Sequence, residues 1–159
     1  MKNSIRIIFF LFFSVIFLSP LYSQGNIYNY TNAKISFWYP DDWMVREHLL
    51  LLLMPQSENL QIQFQISETV NLNEAVKESM NELKLLYPDD SIYIVKDYTI
   101  HKLKVKDMEG IIQNNKVKYL LLETPEKKII KISYSIPKDL ALEYNDLIQK
   151  IINSLKPIN

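Results

Sequence analysis

Residues 60–88 read LQIQFQISETVNLNEAVKESMNELKLLYP, and the spacing of their apolar side chains changes halfway along. From 60 to 67 every second residue is apolar, which indicates a strand with one face in a core and the other in water. From 72 to 87 the apolar residues recur at intervals of three and four, which indicates an amphipathic helix. Asn71 followed by Glu74 predicts a capping box at the start of that helix. The chain therefore combines strand and helix.

Alternating or continuous apolar residues predict further strands on both sides of this unit. Before residue 60 these segments are 35–39, 43–46 and 48–54, and after residue 88 they are 92–100, 103–113, 117–121 and 130–136. Residues 24–33 are polar and predict a loose lead-in, whereas 140–155 predict a second helix with Asp139 as its N-cap. Short links, such as a tight turn at Asn114-Asn115, require antiparallel neighbours. The predicted fold class is α+β: a largely antiparallel sheet with a central and a C-terminal helix packed on it.

The first 23 residues differ from the rest of the chain. Lys2 and Arg6 are followed by a 12-residue uncharged run at 7–18 that is apolar except for Ser14, and Ser23 is a small residue ahead of Gln24. This is the layout of a secretory signal peptide, and the apolar run is well short of the roughly 20 residues that span a bilayer. We predict a signal peptide at 1–23 and one exported domain at 24–159, periplasmic or extracellular and without a transmembrane span. The alternative is that the segment is retained as a membrane anchor.

The composition excludes several classes of function. The 159 residues carry 18 basic and 18 acidic side chains, with no cysteine and two glycines. A formal charge of zero argues against nucleic-acid binding. The absence of cysteine excludes disulfides, thiol nucleophiles and metal sites with Cys ligands. Two glycines cannot form a glycine-rich phosphate loop, and we predict no cofactor and no metal site.

The segment Ile35–Trp43, ISFWYPDDW, resembles the opening of the PsbP-like superfamily, in which a strand runs into a Tyr-Pro-x-x-Trp turn. The Gly-containing segment at 108–110 and the ending at 154–157 are similar to the same pattern, and the match covers residues 33–157. The resemblance implies an α/β/α sandwich. It also implies a mostly non-catalytic role, as in the extrinsic subunits of photosynthetic complexes, a Ran-binding import factor and bacterial secretion chaperones.

The two histidines, His48 and His101, are the candidates for a catalytic base. Each lies at the edge of a predicted strand, and no nucleophile or metal-ligand motif stands nearby. We predict a non-catalytic protein with no catalytic residue. The alternative is a small secreted hydrolase in which His48 or His101 acts with a carboxylate. An imidazole within hydrogen-bond reach of a carboxylate in a pocket would favour that alternative.

Two other motifs are assigned to structure rather than to chemistry. Pro-Asp-Asp occurs at 40–42 and 88–90, where turns are needed, although adjacent carboxylates also suit calcium. Trp43 enters a strand and is predicted to fill the core, with ligand stacking as the alternative. Trp38 lies on the opposite side of its strand from Phe37 and is the better candidate for an exposed binding residue.

Lysines are concentrated between residues 96 and 131. Five of them are predicted to share one exposed face of two strands that pair across Asn114-Asn115. These candidate binding residues are Lys102, Lys104, Lys106, Lys116 and Lys118. Such a face would attract an unknown acidic protein or an anionic envelope surface, and the alternative is a solvated face that keeps strand edges from aggregating. The function predicted from the sequence is an exported binding or scaffold domain that acts through this surface.

Overall fold

Ten strands and two α-helices form within residues 24–87 and 94–158, the part of the chain described by this computed structural model. In chain order they are β1 (Gly25–Tyr30), β2 (Ile35–Pro40), β3 (Trp43–Glu47), β4 (Leu51–Pro55), β5 (Ile62–Ile66), α1 (Leu72–Leu86), β6 (Ile94–Ile100), β7 (Leu103–Ile112), β8 (Asn115–Glu123), β9 (Ile129–Pro137), α2 (Lys138–Asn153) and β10 (Lys156–Pro157). The predicted signal segment, 1–23, and the second Pro-Asp-Asp motif, 88–90, lie outside the described residues. Neither helix of the described ranges is long and apolar enough to cross a membrane.

The strands form two sheets. Seven of them make a sheet in the order β3-β4-β5-β9-β8-β7-β6, and β1, β2 and β10 make a smaller one in the order β1-β2-β10. Every pair of neighbours in both sheets is antiparallel. The predicted fold class, a largely antiparallel α+β fold with two helices, is confirmed.

Both faces of the large sheet are covered, and β8 shows this most directly. Its side chains alternate between the two faces. Leu120 and Leu122 are buried in the core that includes α2 and the small sheet, whereas Leu121 is buried in a separate cluster with α1. The sheet is therefore the middle layer, with α1 on one side and α2 on the other.

Aromatic side chains join the small sheet and α2 to the large sheet. Phe37 on β2 stacks on Phe64 on β5 with ring centroids 4.7 Å apart. Trp43 on β3 is buried and meets Tyr144 on α2 edge to face, with centroids 6.0 Å apart. Offset-stacked and edge-to-face pairs contribute beyond the area that they bury. The prediction that Trp43 fills the core is confirmed.

The capping residue predicted for the first helix is correct. The side chain of Asn71 accepts hydrogen bonds from the backbone N–H groups of Asn73 and Glu74, at 2.9 and 3.2 Å. These are two of the donors that a helix start leaves without an intrahelical partner. The reciprocal half of the predicted capping box is not formed: the Asn71 N–H donates to the Thr69 hydroxyl oxygen at 3.5 Å, and the carboxylate of Glu74 accepts a hydrogen bond from that hydroxyl at 3.2 Å.

Three local predictions are wrong. Residues 25–30, expected to be loose, form β1, because β2 offers a full antiparallel partner from Ile35 to Pro40. The expectation that a short link joins antiparallel neighbours fails at Asp41-Asp42, since β3 pairs with β4 in the other sheet rather than with β2. The second helix begins directly after β9, so Asp139 lies in its first turn rather than at the N-cap. A carboxylate in the first turn still interacts favourably with the helix dipole.

The β7–β8 hairpin turns one residue earlier than predicted. Gln113 and Asn114 have positive φ angles of 47° and 68°, and Ile112 pairs with Asn115. Two consecutive positive φ angles are what a two-residue hairpin turn of the favoured twist requires. This register decides where the lysines of the two strands lie.

Candidate functional site

The five predicted binding lysines do not share a surface. Lys104 lies opposite Glu123 on the side of the sheet that α1 covers, whereas Lys118 lies opposite Glu109 on the α2 side. In a hairpin with a two-residue loop, paired residue numbers add up to an odd number. Even-numbered residues of the two strands therefore point to opposite faces. The predicted common lysine face is wrong.

Four of these lysines are also neutralised by carboxylates. The Nζ–carboxylate distances are 3.3 Å for Lys104–Glu123, 2.5 Å for Lys106–Asp97, 3.6 Å for Lys116–Glu109 and 3.0 Å for Lys118–Asp107. A lysine paired in this way adds little to the attraction of a distant anion. Lys102 differs, because it forms no ion pair with any residue that the structure describes.

The Lys118–Asp107 pair is buried. Lys118 is 7% exposed and Asp107 is 6% exposed. The Tyr98 hydroxyl donates to Asp107 Oδ2 at 3.2 Å, and Lys118 also reaches Glu109 at 3.4 Å. Asp107 Oδ1 has no hydrogen-bond partner among the described residues. A buried carboxylate of this kind depends on its cation, so this pair is a feature of stability.

The charges of this cluster fix the protonation of its neighbours. Burial, together with the charge of Asp107, raises the pKa of Tyr98 well above its ordinary value. Tyr134, opposite Lys118 on β9, has a raised pKa for the same two reasons. Burial also acts to raise the pKa of Glu109, but the ammonium groups of Lys116 and Lys118 outweigh it and lower that pKa. At neutral pH Tyr98 and Tyr134 are therefore neutral and Glu109 is charged.

Trp38 is half-buried rather than open to a ligand. The Lys150 ammonium group on α2 lies 3.7 Å from the centroid of its ring, which is cation–π geometry. On the β1 side Gly25 packs so closely that a Cβ there would lie 2.2 Å from the indole nitrogen. The ring is thus held by contacts within the protein.

A basic cleft of about 370 Å³ lies where four segments of the chain meet. The β6–β7 turn supplies His101 and Lys102, the β2 end of the small sheet supplies Lys34, and the C-terminal segment supplies Lys156. Thr124, Pro125 and Glu126 of the β8–β9 loop, with Pro157 and Ile158, complete the lining. We call this set of residues the basic cleft.

Backbone geometry holds the cleft in shape. Lys34, His101 and Lys102 all have positive φ angles, of 56°, 44° and 74°, as tight turns require. The Ile158 N–H donates to the Lys34 carbonyl at 3.0 Å, and this bond ties the C-terminal segment to the start of β2. A His101 ring nitrogen, Nε2, lies 3.2 Å from the carbonyl oxygen of Asn153. The basic side chains are therefore carried on a fixed frame.

The charge of the cleft is strongly one-sided. Lys34, Lys102 and Lys156 form no ion pair with any described residue, and Glu126 is the one acidic residue among those that line the cleft. Lysine ammonium groups bind phosphate and carboxylate oxygens as point charges. The arrangement suits a small anionic group.

Lys102 is the predicted site residue that the structure places in this cleft, and sequence reasoning missed the other two lysines. Lys34 and Lys156 come together because Lys156 pairs with Ser36 in the β2–β10 ladder. A two-residue strand leaves no periodic signal in the sequence, so no pattern pointed to this contact.

Neither histidine has a described contact with a carboxylate. His48 is exposed in the β3–β4 loop, and the described ring contact of His101 is to a backbone carbonyl. Within residues 24–87 and 94–158, no three His, Asp or Glu side chains come close enough to hold a metal ion. The hydrolase alternative needs an imidazole beside a carboxylate in a pocket, and the described geometry gives it no support.

These elements define an α+β sandwich with one helix on each side of an antiparallel sheet, and the fold is PsbP-like. The solution structure of cyanobacterial PsbP (CyanoP) from Synechocystis sp. PCC 6803 matches with a TM-score of 0.64 at 12% identity, covering 87% of this chain and 95% of that one. LpqN of Mycobacterium tuberculosis, described as involved in cell envelope biogenesis, matches with a TM-score of 0.54 at 11% identity over 86% and 91% of the two chains.

A third solved structure, the protein of unknown function PA94 from Pseudomonas aeruginosa, matches with a TM-score of 0.53 at 10% identity over 86% of this chain and 99% of that one. No family model and no curated protein matches the sequence. The structural likeness confirms the PsbP-like resemblance of residues 33–157 at the level of the fold. At these identities it carries no residue roles.

Proposed function

We propose that this chain is an exported, non-catalytic binding domain that docks on an anionic envelope surface through the basic cleft. The observation that carries the proposal is the convergence of Lys34, Lys102 and Lys156 in one cleft, without an ion pair to any described residue. The lysines of the β7–β8 hairpin from Lys104 to Lys118 are paired with carboxylates, whereas the cleft gathers these three lysines in one place. The proposed partner is still anionic, as predicted from the sequence. Of the lysines predicted to bind it, only Lys102 belongs to the basic cleft.

The size of the cleft favours a head group over a flat charged surface. A volume of about 370 Å³ is at the lower end of the range for ligand sites, and it accommodates a phosphate with a small attached alcohol. Three ammonium groups around one phosphate attract it by charge. Since Lys102 and Lys156 are exposed, this attraction falls with salt over a Debye length of about 10 Å at 0.1 M.

Export is the second part of the proposal and has its own test. Lys2, Arg6, the largely apolar run 7–18 and Ser23 support a signal peptide cleaved before Gln24. We expect the intact mass of protein recovered from the producing cell to correspond to a chain that begins at Gln24. A mass corresponding to all 159 residues would instead mean that the N-terminal segment is retained.

The binding test uses flotation of the mature protein with vesicles of phosphatidylglycerol and phosphatidylcholine, compared with phosphatidylcholine alone. Replacing Lys102 and Lys156 by glutamine removes two cations of the cleft. Because each lysine near an anionic surface contributes on the order of 1 kcal/mol, we expect binding to weaken about thirtyfold. The wild-type protein should also lose binding at high salt.

The matched control replaces Lys77 and Lys84 by glutamine. Both are exposed on α1, form no ion pair with a described residue and change the net charge by the same amount. We expect this variant to bind like the wild type. Equal weakening by both double variants would show that net charge alone matters, and absence of wild-type binding to the anionic vesicles would contradict the proposal.

A further inference from the structure

A second depression lies on the α1 side of the large sheet, where the helix leaves the surface uncovered. The apolar side chains of α1 pack on β7 and β8, in contact with Met108, Leu121 and Ile112. The neighbouring strands β5 and β9 carry polar residues on the same face, so a groove of about 440 Å³ is left beside the helix. We call it the neutral groove.

Amide and hydroxyl side chains form its floor. Gln63 on β5 lies opposite Ser133 on β9, which lies opposite Tyr119 on β8, so the three side chains form a row across the sheet. Gln61 and Ser135 extend the floor along the strands, and Tyr87 follows the end of α1 at its side. Each of these groups can both donate and accept hydrogen bonds.

The charges around the groove are compensated. Glu58 is its one charged lining residue, and its carboxylate pairs with Arg46 at 2.8 Å. Beyond Tyr119, the Lys131 ammonium group lies 5.2 Å from the tyrosine ring and pairs with Glu82. An anion would find no unpaired cation among the described groups that line this groove, in contrast to the basic cleft.

We infer that the neutral groove binds an uncharged oligosaccharide. Sugar hydroxyls match a floor of amides and hydroxyls, and tyrosine rings present an apolar face with a polar tip to a sugar ring. An apolar ligand would bury these polar groups without partners, at a cost in free energy. The groove volume of about 440 Å³ falls within the usual range for small-ligand sites.

A peptide fits this place less well. Peptides that bind sheets usually add a strand at an edge, where backbone N–H and C=O groups are unpaired. The floor of the neutral groove is a sheet interior: β9 is paired with β5 on one side and with β8 on the other. Its side chains, not its backbone, are therefore what a ligand meets.

The test is binding of the mature protein to an array of immobilised neutral and acidic oligosaccharides. The variant replaces both Gln63 and Ser133 by alanine. Because each net hydrogen bond contributes on the order of 1 kcal/mol, we expect the affinity for the bound neutral oligosaccharides to fall at least about tenfold. The control, Gln65→Ala, changes the same residue type two positions along β5, exposed but outside the groove, and should bind like the wild type.

The possible outcomes separate this inference from the proposed function. Loss of neutral-glycan binding in the groove variant, with binding retained in the Gln65 control and in the variant lacking Lys102 and Lys156, supports the inference. Absence of binding to any neutral oligosaccharide overturns it, and so does an equal loss in the Gln65 control. Binding only to acidic oligosaccharides, abolished by the lysine changes, would overturn it while supporting the basic cleft.

Discussion

Replacing Lys118 by methionine is expected to lower the free energy of unfolding by about 3–5 kcal/mol. The Lys118 ammonium group lies 3.0 Å from the Asp107 carboxylate, and both side chains are buried. Removing the ammonium group leaves a buried carboxylate whose second oxygen already lacks a hydrogen-bond partner among the described residues. Urea denaturation of the wild type and the variant at neutral pH measures the difference.

Two further variants separate charge burial from a general effect of mutation. Lys116→Met removes a more exposed partner of Glu109, and we expect it to change stability by no more than about 1 kcal/mol. Combining Lys118→Met with Asp107→Leu also removes the buried carboxylate that has lost its cation. The double variant should recover much of the lost free energy of unfolding. A single Lys118→Met variant as stable as the wild type would contradict the described burial of this ion pair.

The second large effect is expected for Ile148→Asp, which should leave the protein unfolded at room temperature. Ile148 is 1% exposed in the middle of the apolar stripe of α2, within the main core. A carboxylate placed there has no cation and costs several kcal/mol, which is comparable with the whole stability of an ordinary domain. Circular dichroism and thermal melting give the result.

Leu142→Asp is the matched control for Ile148→Asp. Leu142 lies on the same helix but is 88% exposed, so the same substitution should leave the melting temperature within a few degrees of the wild type. If Ile148→Asp melted like this control, α2 would not be packed on the sheet as described.

Hydrophobic spacing predicted the strongest elements well. The alternation from Leu60 onwards became β5, and the stripe from Leu72 became α1 with the predicted N-cap. In each case the apolar side chains need burial on one face, and that requirement leaves little choice of structure. The elements predicted wrongly are those whose structure depends on a partner strand rather than on their own apolar spacing, such as β1, which is ordered by its pairing with β2.

The prediction of a common lysine face could have been rejected from the residue numbers alone. A two-residue turn places even-numbered residues of β7 and β8 on opposite faces, whichever pair of residues forms the turn. The expectation that both lysine sets face water assumed one solvated face. Because α1 and α2 cover both faces, Lys118 is buried, and Asp107 is the buried acid that compensates it.

The most direct test of the basic cleft is a titration of isotope-labelled protein comprising residues 24–159 with glycerol phosphate, followed by amide nuclear magnetic resonance. This probe carries the anionic group without a membrane, so the residues whose signals shift are those that contact the phosphate itself. We predict shifts concentrated at Lys34, at His101 and Lys102, in the 124–126 loop and at 156–158. Absence of shifts, or shifts centred on Lys104 and Lys118, would contradict the account.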